Sequence, residues 1–171
     1  MVKIPRTVHF VFGLKEQFEA FHLLHYLAIE SCRRVLRPDR ILFHYHHLPF
    51  GIYWEKIRPE LEMCKVQPVN AVESTDYNPE TVPNAYRYAH HADFIRLDAL
   101  LEHGGIYADI ETLFLKPYPI ELFEHEFVIG REAPVLNADS GVYEPSLCNA
   151  LMMARPGARL VKAWREQMAD A

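Results

Sequence analysis

An α/β fold with a mostly parallel sheet flanked by helices is predicted for this chain, and three observations predict it. Short runs rich in β-branched and aromatic residues, TVHFVF at 7–12 and RILFHY at 40–45, alternate with longer segments of helical spacing. Half of the 171 residues are apolar, enough for one domain spanning 1–171 with a substantial core. A glycine pair, Gly104-Gly105, breaks a helix-like stretch and opens a short apolar strand that runs out on two acids, Asp109 and Glu111.

Taken in order, Thr7–Phe12, closed by Gly13, reads as a buried first strand. Gln17–Leu36 carries Phe18, Phe21, Leu24, Tyr26, Leu27 and Ile29 at mostly helical spacing. Arg33, Arg34 and Arg37 gather at its end, where they favour the helix dipole, and Pro38 stops it. Arg40–Tyr45 is a second strand, Gly51–Leu61 a short helix and Cys64–Val69 a third strand. Glu73–Pro83, with Asp76, Asn78, Pro79 and Pro83, has the composition of an exposed loop. A central helix over Asn84–His103 precedes the acidic strand. Phe127–Gly130 follows as a strand, Gly141–Glu144 as an extended segment and Leu160–Met168 as the last helix.

Several classes of function find no support. A net charge of -5 argues against a nucleic-acid partner, which shows itself as a basic excess. No run of apolar residues has the length of a membrane span. With the first strand starting by Thr7, a cytoplasmic chain is expected if Met1 is the native start. An excised lumenal domain of a membrane-anchored enzyme is the alternative. Cys32, Cys64 and Cys148 are odd in number and widely spaced, which points to free buried thiols in a reducing compartment. Ser140 lacks the Gly-x-Ser-x-Gly context of a nucleophile, Cys148 lacks basic neighbours, and no phosphate-binding glycine fingerprint occurs.

The acids carry the positive signal. Asp109 and Glu111 stand two apart, so strand alternation puts both on one face. A solvated strand edge is one reading of that pair. The other is a hard divalent cation, because like charges among apolar neighbours are costly to desolvate without compensation, and Mg²⁺ or Mn²⁺ takes oxygen ligands while leaving room for phosphate. On the central helix, Asp93 and Arg96 are three apart and share a face with Ala89, Leu97 and Leu100. They read either as an ion pair worth less than about 1 kcal/mol, or as a pair that holds sugar hydroxyls or a phosphate through the rigid guanidinium fork.

The segment Ala89–Pro117 resembles the sugar-binding, DXD-containing family of glycosyltransferases, which includes fungal initiating mannosyltransferases and clostridial glucosylating toxins. That family's Ala-x-Ser-Asp-x-x-Arg helix and Gly-Gly-x-Tyr-x-Asp-x-Asp motif are matched by Asp93, Arg96, Gly104, Gly105, Tyr107, Asp109 and Glu111. Ile4-Pro5 with Val8-His9-Phe10-Val11-Phe12-Gly13 is similar to the family's first strand, and Asn149-Ala150-Leu151-Met152 with Pro156-Gly157 is a weaker match. The resemblance implies a GT-A fold that binds a nucleoside-diphosphate sugar with Mn²⁺ or Mg²⁺ and transfers a hexose to a saccharide or other hydroxyl acceptor, as in polysaccharide biosynthesis. It implies Glu111 as a direct metal ligand and Asp109 as a contact to the ribose or sugar and the metal shell. Asp93 and Arg96 would hold the sugar, Gly105 and Tyr107 complete the donor-binding motif, and Phe12 would stack on the nucleobase. The chain departs from the pattern in reading Asp-x-Glu and in carrying His91-Ala92 where relatives usually have Lys-Ser. It also ends at Ala171, where relatives continue with another metal ligand or acceptor-binding residues, so a truncated catalytic domain is expected.

Two rival readings remain. His44, His46 and His47 close the second strand, and a His-x-His at a strand end can hold Zn²⁺, as in a metal-dependent hydrolase. A nucleotide-sugar-binding module that has lost activity is the other.

Overall fold

The first two predicted strands find each other directly. In the computed structural model, which describes residues 3–68, 84–138 and 140–170, β1 (Thr7–Val11) and β2 (Arg40–Tyr45) run parallel. Val8 lies beside Ile41 and Phe10 beside Phe43. β3 (Glu62–Lys65) adds in parallel to β2, and β4 (Gly105–Ala108) in parallel to the other side of β1. Beyond β4 comes β6 (Tyr143–Ala154), antiparallel, and then β5 (Phe127–Leu136), antiparallel to β6. The six-stranded order is β3-β2-β1-β4-β6-β5.

Helices cover both faces, which is why β1 is buried at every position rather than at alternate ones. On one face Val8, Phe10, Ile41, Phe43 and Ile106 pack with residues of α1 (Leu23–Ser31) and α2 (Ile52–Ile57), Ile29 and Trp54 among them. On the other, Val11, Tyr107 and Met152 pack with Leu97 and Leu100 of α3 (Asn84–His103) and Val161 of α4 (Arg159–Asp170). Parallel β1 and β4 therefore end on the same edge of the sheet, between α1 and α3.

Several boundaries differ from those expected. The first helix begins at Leu23 rather than Gln17, because Phe18 is 85% exposed and the Phe21 N–H bonds to the Phe50 carbonyl instead of joining a helical ladder. It closes in a π-helical turn, Cys32–Leu36, with Arg37 left-handed at φ 48°. The second helix stops at Ile57 and tightens into a 3₁₀ turn, Arg58–Glu60, where Pro59 interrupts the α-helical bonding. β3 starts two residues before the expected Cys64 and ends at Lys65, short of the expected Val69, which lies with the Glu73–Pro83 loop outside the described residues.

The largest difference is the β5–β6 ribbon. Only Phe127–Gly130 and Gly141–Glu144 were expected to be extended, whereas the strands run over Phe127–Leu136 and Tyr143–Ala154 and include Pro134 and Pro145. Both prolines fall where the pairing shifts register between Glu132 and Val135, an irregularity that accommodates a residue without an N–H.

The glycine pair performs as predicted. Gly104 and Gly105 both have positive φ, 63° and 106°. A side chain at Gly105 would sit 2.3 Å from the Thr7 carbonyl oxygen. The chain can leave α3 and lie against β1 only because nothing projects there.

Candidate functional site

Asp109 and Glu111 follow β4, which stops at Ala108. This corrects the expectation that both lie on a strand. The Asp109 N–H still reaches the Ala150 carbonyl of β6 at 2.8 Å, but Ile110 and Glu111 turn, and the Thr112 N–H closes on the Asp109 carbonyl at 2.9 Å. Strand alternation no longer applies, and the two acids flank the tip of β4. Asp109 engages the α3 side. Glu111 is exposed and, with Phe12 and His25, lines a cavity of about 500 Å³ on the α1 side.

Helix spacing delivers Asp93 and Arg96 to the same edge. Arg96 is only 7% exposed, so this is no surface ion pair. Its guanidinium lies over the Tyr107 ring at 4.5 Å. Nη1 donates to the Asn149 carbonyl at 2.8 Å, and Nη2 stands 3.2 Å from Asp93 Oδ1 and 3.6 Å from Asp109 Oδ1. The Tyr107 hydroxyl donates to Asp109 Oδ1 at 2.6 Å, and Asn149 Nδ2 donates to Asp93 Oδ1 at 3.1 Å. One cation thus serves two carboxylates. Arg96 Nε is buried with no partner among the described residues.

The charges respond to that crowding. Burial holds the Asp93 carboxyl above its ordinary range although Arg96 pulls it down. The Tyr107 hydroxyl is pushed well up, chiefly by burial, so it acts as a donor to Asp109 rather than as a base. Asp109 is 43% exposed at its side chain, and its Oδ2 has no partner among the described residues.

The remaining expected site residues divide. Phe12 stands one residue beyond β1, at the cavity wall, with its ring 5.2 Å from Phe21 and 4.7 Å from His25. Gly105 lies at the opposite end of β4, packed on Thr7. Two residues of the site had no role assigned from the sequence, Asn149 standing there only within the weaker family match and His25 not at all. Asn149 is tied to Asp93 across 56 residues of chain, a link that no local pattern encodes. His25 stands four residues after Phe21, a spacing that hinted at a shared helix face, yet it was passed over among apolar positions.

The histidine cluster does not converge. His44 is buried, and its Nε2 is 3.0 Å from His9 Nδ1, whose ring bonds through Nε2 to the Gly104 carbonyl at 2.8 Å. His46 bonds through Nδ1 to the Val66 carbonyl. Among the described residues no three His, Cys, Asp or Glu side chains gather as a ready metal cage. The expectation of a zinc site at His44, His46 and His47 is therefore corrected: alternation turns His44 into the core, and the turn after β2 carries the others elsewhere. The acids at the β4 tip stand on opposite sides of it and form no such cage either. They offer only carboxylate oxygens, both open to solvent, a donor set suited to a hard divalent cation that keeps water and brings phosphate with it.

Three comparisons bear on this arrangement. The family model for the glycosyltransferase sugar-binding region containing the DXD motif matches residues 27–129. Glucan organizing enzyme 1 of Cryptococcus neoformans var. grubii is 33% identical over 166 residues, covering 94% of this chain and 43% of that protein. The solved structure of PaToxG Glycosyltransferase shares the fold at a TM-score of 0.61 and 15% identity, over 98% of this chain and 61% of its own. The chain thus spans less than two thirds of either relative.

Proposed function

The chain belongs to the glycosyltransferase family that carries a DXD-containing sugar-binding region, and from that premise we propose that it binds a nucleoside-diphosphate sugar at the β1/β4 edge and transfers the hexose to a saccharide or other hydroxyl acceptor. The observation that carries this reading is the buried Arg96, shared by Asp93 and Asp109 at the end of β4. A guanidinium fork between two carboxylates is suited to a polyhydroxylated ring, since it offers donors and acceptors in fixed relation.

Each residue then has a distinct task. Asp93 and Arg96 grip sugar hydroxyls and set the direction in which the anomeric carbon faces, a positioning contribution to rate. Tyr107 holds Asp109 from beneath through its hydroxyl. Phe12 stacks on the base. Asp109 and Glu111 would hold Mn²⁺ or Mg²⁺ at the tip of β4. Such an ion, when bound, neutralises charge on the diphosphate leaving group.

The test is a calorimetric titration of UDP- and GDP-hexoses, with and without Mn²⁺, on wild type and Asp109→Ala. Cation-dependent binding that the substitution weakens by about tenfold or more is expected, in line with loss of a charged contact. Equal affinity for every donor, regardless of cation and substitution, overturns the reading.

A further inference from the structure

The donor reading gives no task to His25, yet that residue occupies a singular place beside Phe12. It stands in the first turn of α1, half-buried, with its ring 4.7 Å from Phe12 at 55° and 5.1 Å from Phe21. Together with Phe12, Lys15, Leu24 and Glu111 it lines the cavity of about 500 Å³ at the end of β1.

Its two ring nitrogens have different surroundings. Nδ1 is buried without a hydrogen-bond partner among the described residues, whereas Nε2 is not sealed off in that way. A stranded buried N–H costs more than a stranded bare nitrogen, whose lone pair is the weaker demand, so in the neutral ring the proton resides on Nε2. The cavity wall therefore presents one N–H donor next to an aromatic ring.

We propose that His25 is a base-reading residue, donating from Nε2 to a keto oxygen of the stacked nucleobase and thereby selecting a uridine or guanosine diphosphate donor over an adenosine or cytidine one. Uracil and guanine present a carbonyl oxygen on the edge remote from the ribose; cytosine and adenine present an amino group there. A donor at the wall satisfies the first pair and confronts the second with another donor, so that no hydrogen bond forms there. This inference rests on the nucleotide-sugar reading and adds the class of base to it.

The experiment titrates UDP, GDP, ADP and CDP with Mn²⁺ into wild type, His25→Phe and His25→Gln, after thermal melting has shown each variant folded. The wild type is expected to bind UDP or GDP about tenfold more tightly than ADP and CDP, the worth of one well-placed hydrogen bond. His25→Phe keeps a ring against Phe12 and loses the discrimination, and His25→Gln, which keeps a side-chain N–H near the position of Nε2, recovers most of it. Whichever of UDP and GDP binds better identifies the base. Selectivity retained in His25→Phe, or wild-type binding with no keto preference, overturns the role of His25 and leaves the nucleotide site intact. Failure of every diphosphate to bind the wild type overturns both.

Discussion

Two polar clusters lie beneath α3 on one face of the sheet, and they are built to opposite rules. In the first, His9 uses both ring nitrogens, one toward His44 and one toward the Gly104 carbonyl, while the His103 ring stacks 5.9 Å away. Because the carbonyl can only accept, His9 carries its proton on Nε2, and His44 must then donate from Nε2 to His9 Nδ1. That chain is closed. In the second, Arg96 answers two carboxylates, a backbone carbonyl and an aromatic face, and still has Nε without a partner among the described residues. A closed cluster fixes backbone; one with spare donors and crowded charge is suited to receiving another molecule. The contrast separates a structural polar group from a functional one better than burial does.

Removing the hub of the open cluster is the most damaging test of that contrast. Arg96→Leu leaves Asp93 and Asp109 as partly buried like charges, and a loss of about 3–5 kcal/mol is expected, as when one partner of a buried ion pair is removed. Denaturant unfolding measures it, and donor binding is expected to vanish with it. A variant as stable as wild type would show that the two carboxylates do not depend on the guanidinium.

The closed cluster is best probed with acid. Burial holds His9 down to about 4 and His44 down to about 3, whereas both titrate near 6.5 in the unfolded chain. Below pH 6.5 the unfolded chain therefore binds protons that the fold refuses. Their contribution to stability is constant above that value and falls as pH drops toward 4, by up to about 1.4 kcal/mol per unit for each ring. Urea midpoints across that window measure the slope, and His44→Leu should flatten it. A wild-type slope already flat between pH 6.5 and 5 would mean that the rings take up protons inside the fold.

Two milder substitutions sharpen the open side. Asp93→Asn relieves one of the paired carboxylates and keeps its shape. It should leave stability within about 1 kcal/mol and weaken sugar-dependent affinity about tenfold, with binding of the free diphosphate kept. If hexose-bearing and free diphosphates lose affinity equally, Asp93 does not touch the sugar. Tyr107→Phe removes only the hydroxyl beneath Asp109, and a change of about 0.5–1 kcal/mol in unfolding free energy is expected. A larger loss would move Tyr107 from supporting Asp109 to holding the core.

What could be read in advance was whatever depends on near neighbours along the chain. The Gly104-Gly105 break, the Asp93–Arg96 face of a helix and the run of β1 all follow from local spacing, and the structure has them where spacing put them. The reading failed where a distant partner decides. β4 stops at Ala108, where the Asp109 N–H bonds to Ala150 and the chain turns, so Asp109 and Glu111 part to either side of its tip. The β5–β6 ribbon runs well past the two short segments expected, because pairing between distant strands sets its length and its irregularities tolerate Pro134 and Pro145. Asn149 lies outside the residues matched by the family model, and its importance is visible only once β6 is beside β4.

The adjacency of Asn149 and Ala150 has a consequence for how the edge keeps its dimensions. Asn149 fastens the helix, through Asp93 and Arg96, and the next residue fastens the turn that bears Asp109. Consecutive Cα atoms are about 3.8 Å apart whatever else changes. A single peptide unit therefore acts as the ruler between two elements more than a dozen residues apart in the chain, and neither can drift without tearing a bond from the same short piece of strand.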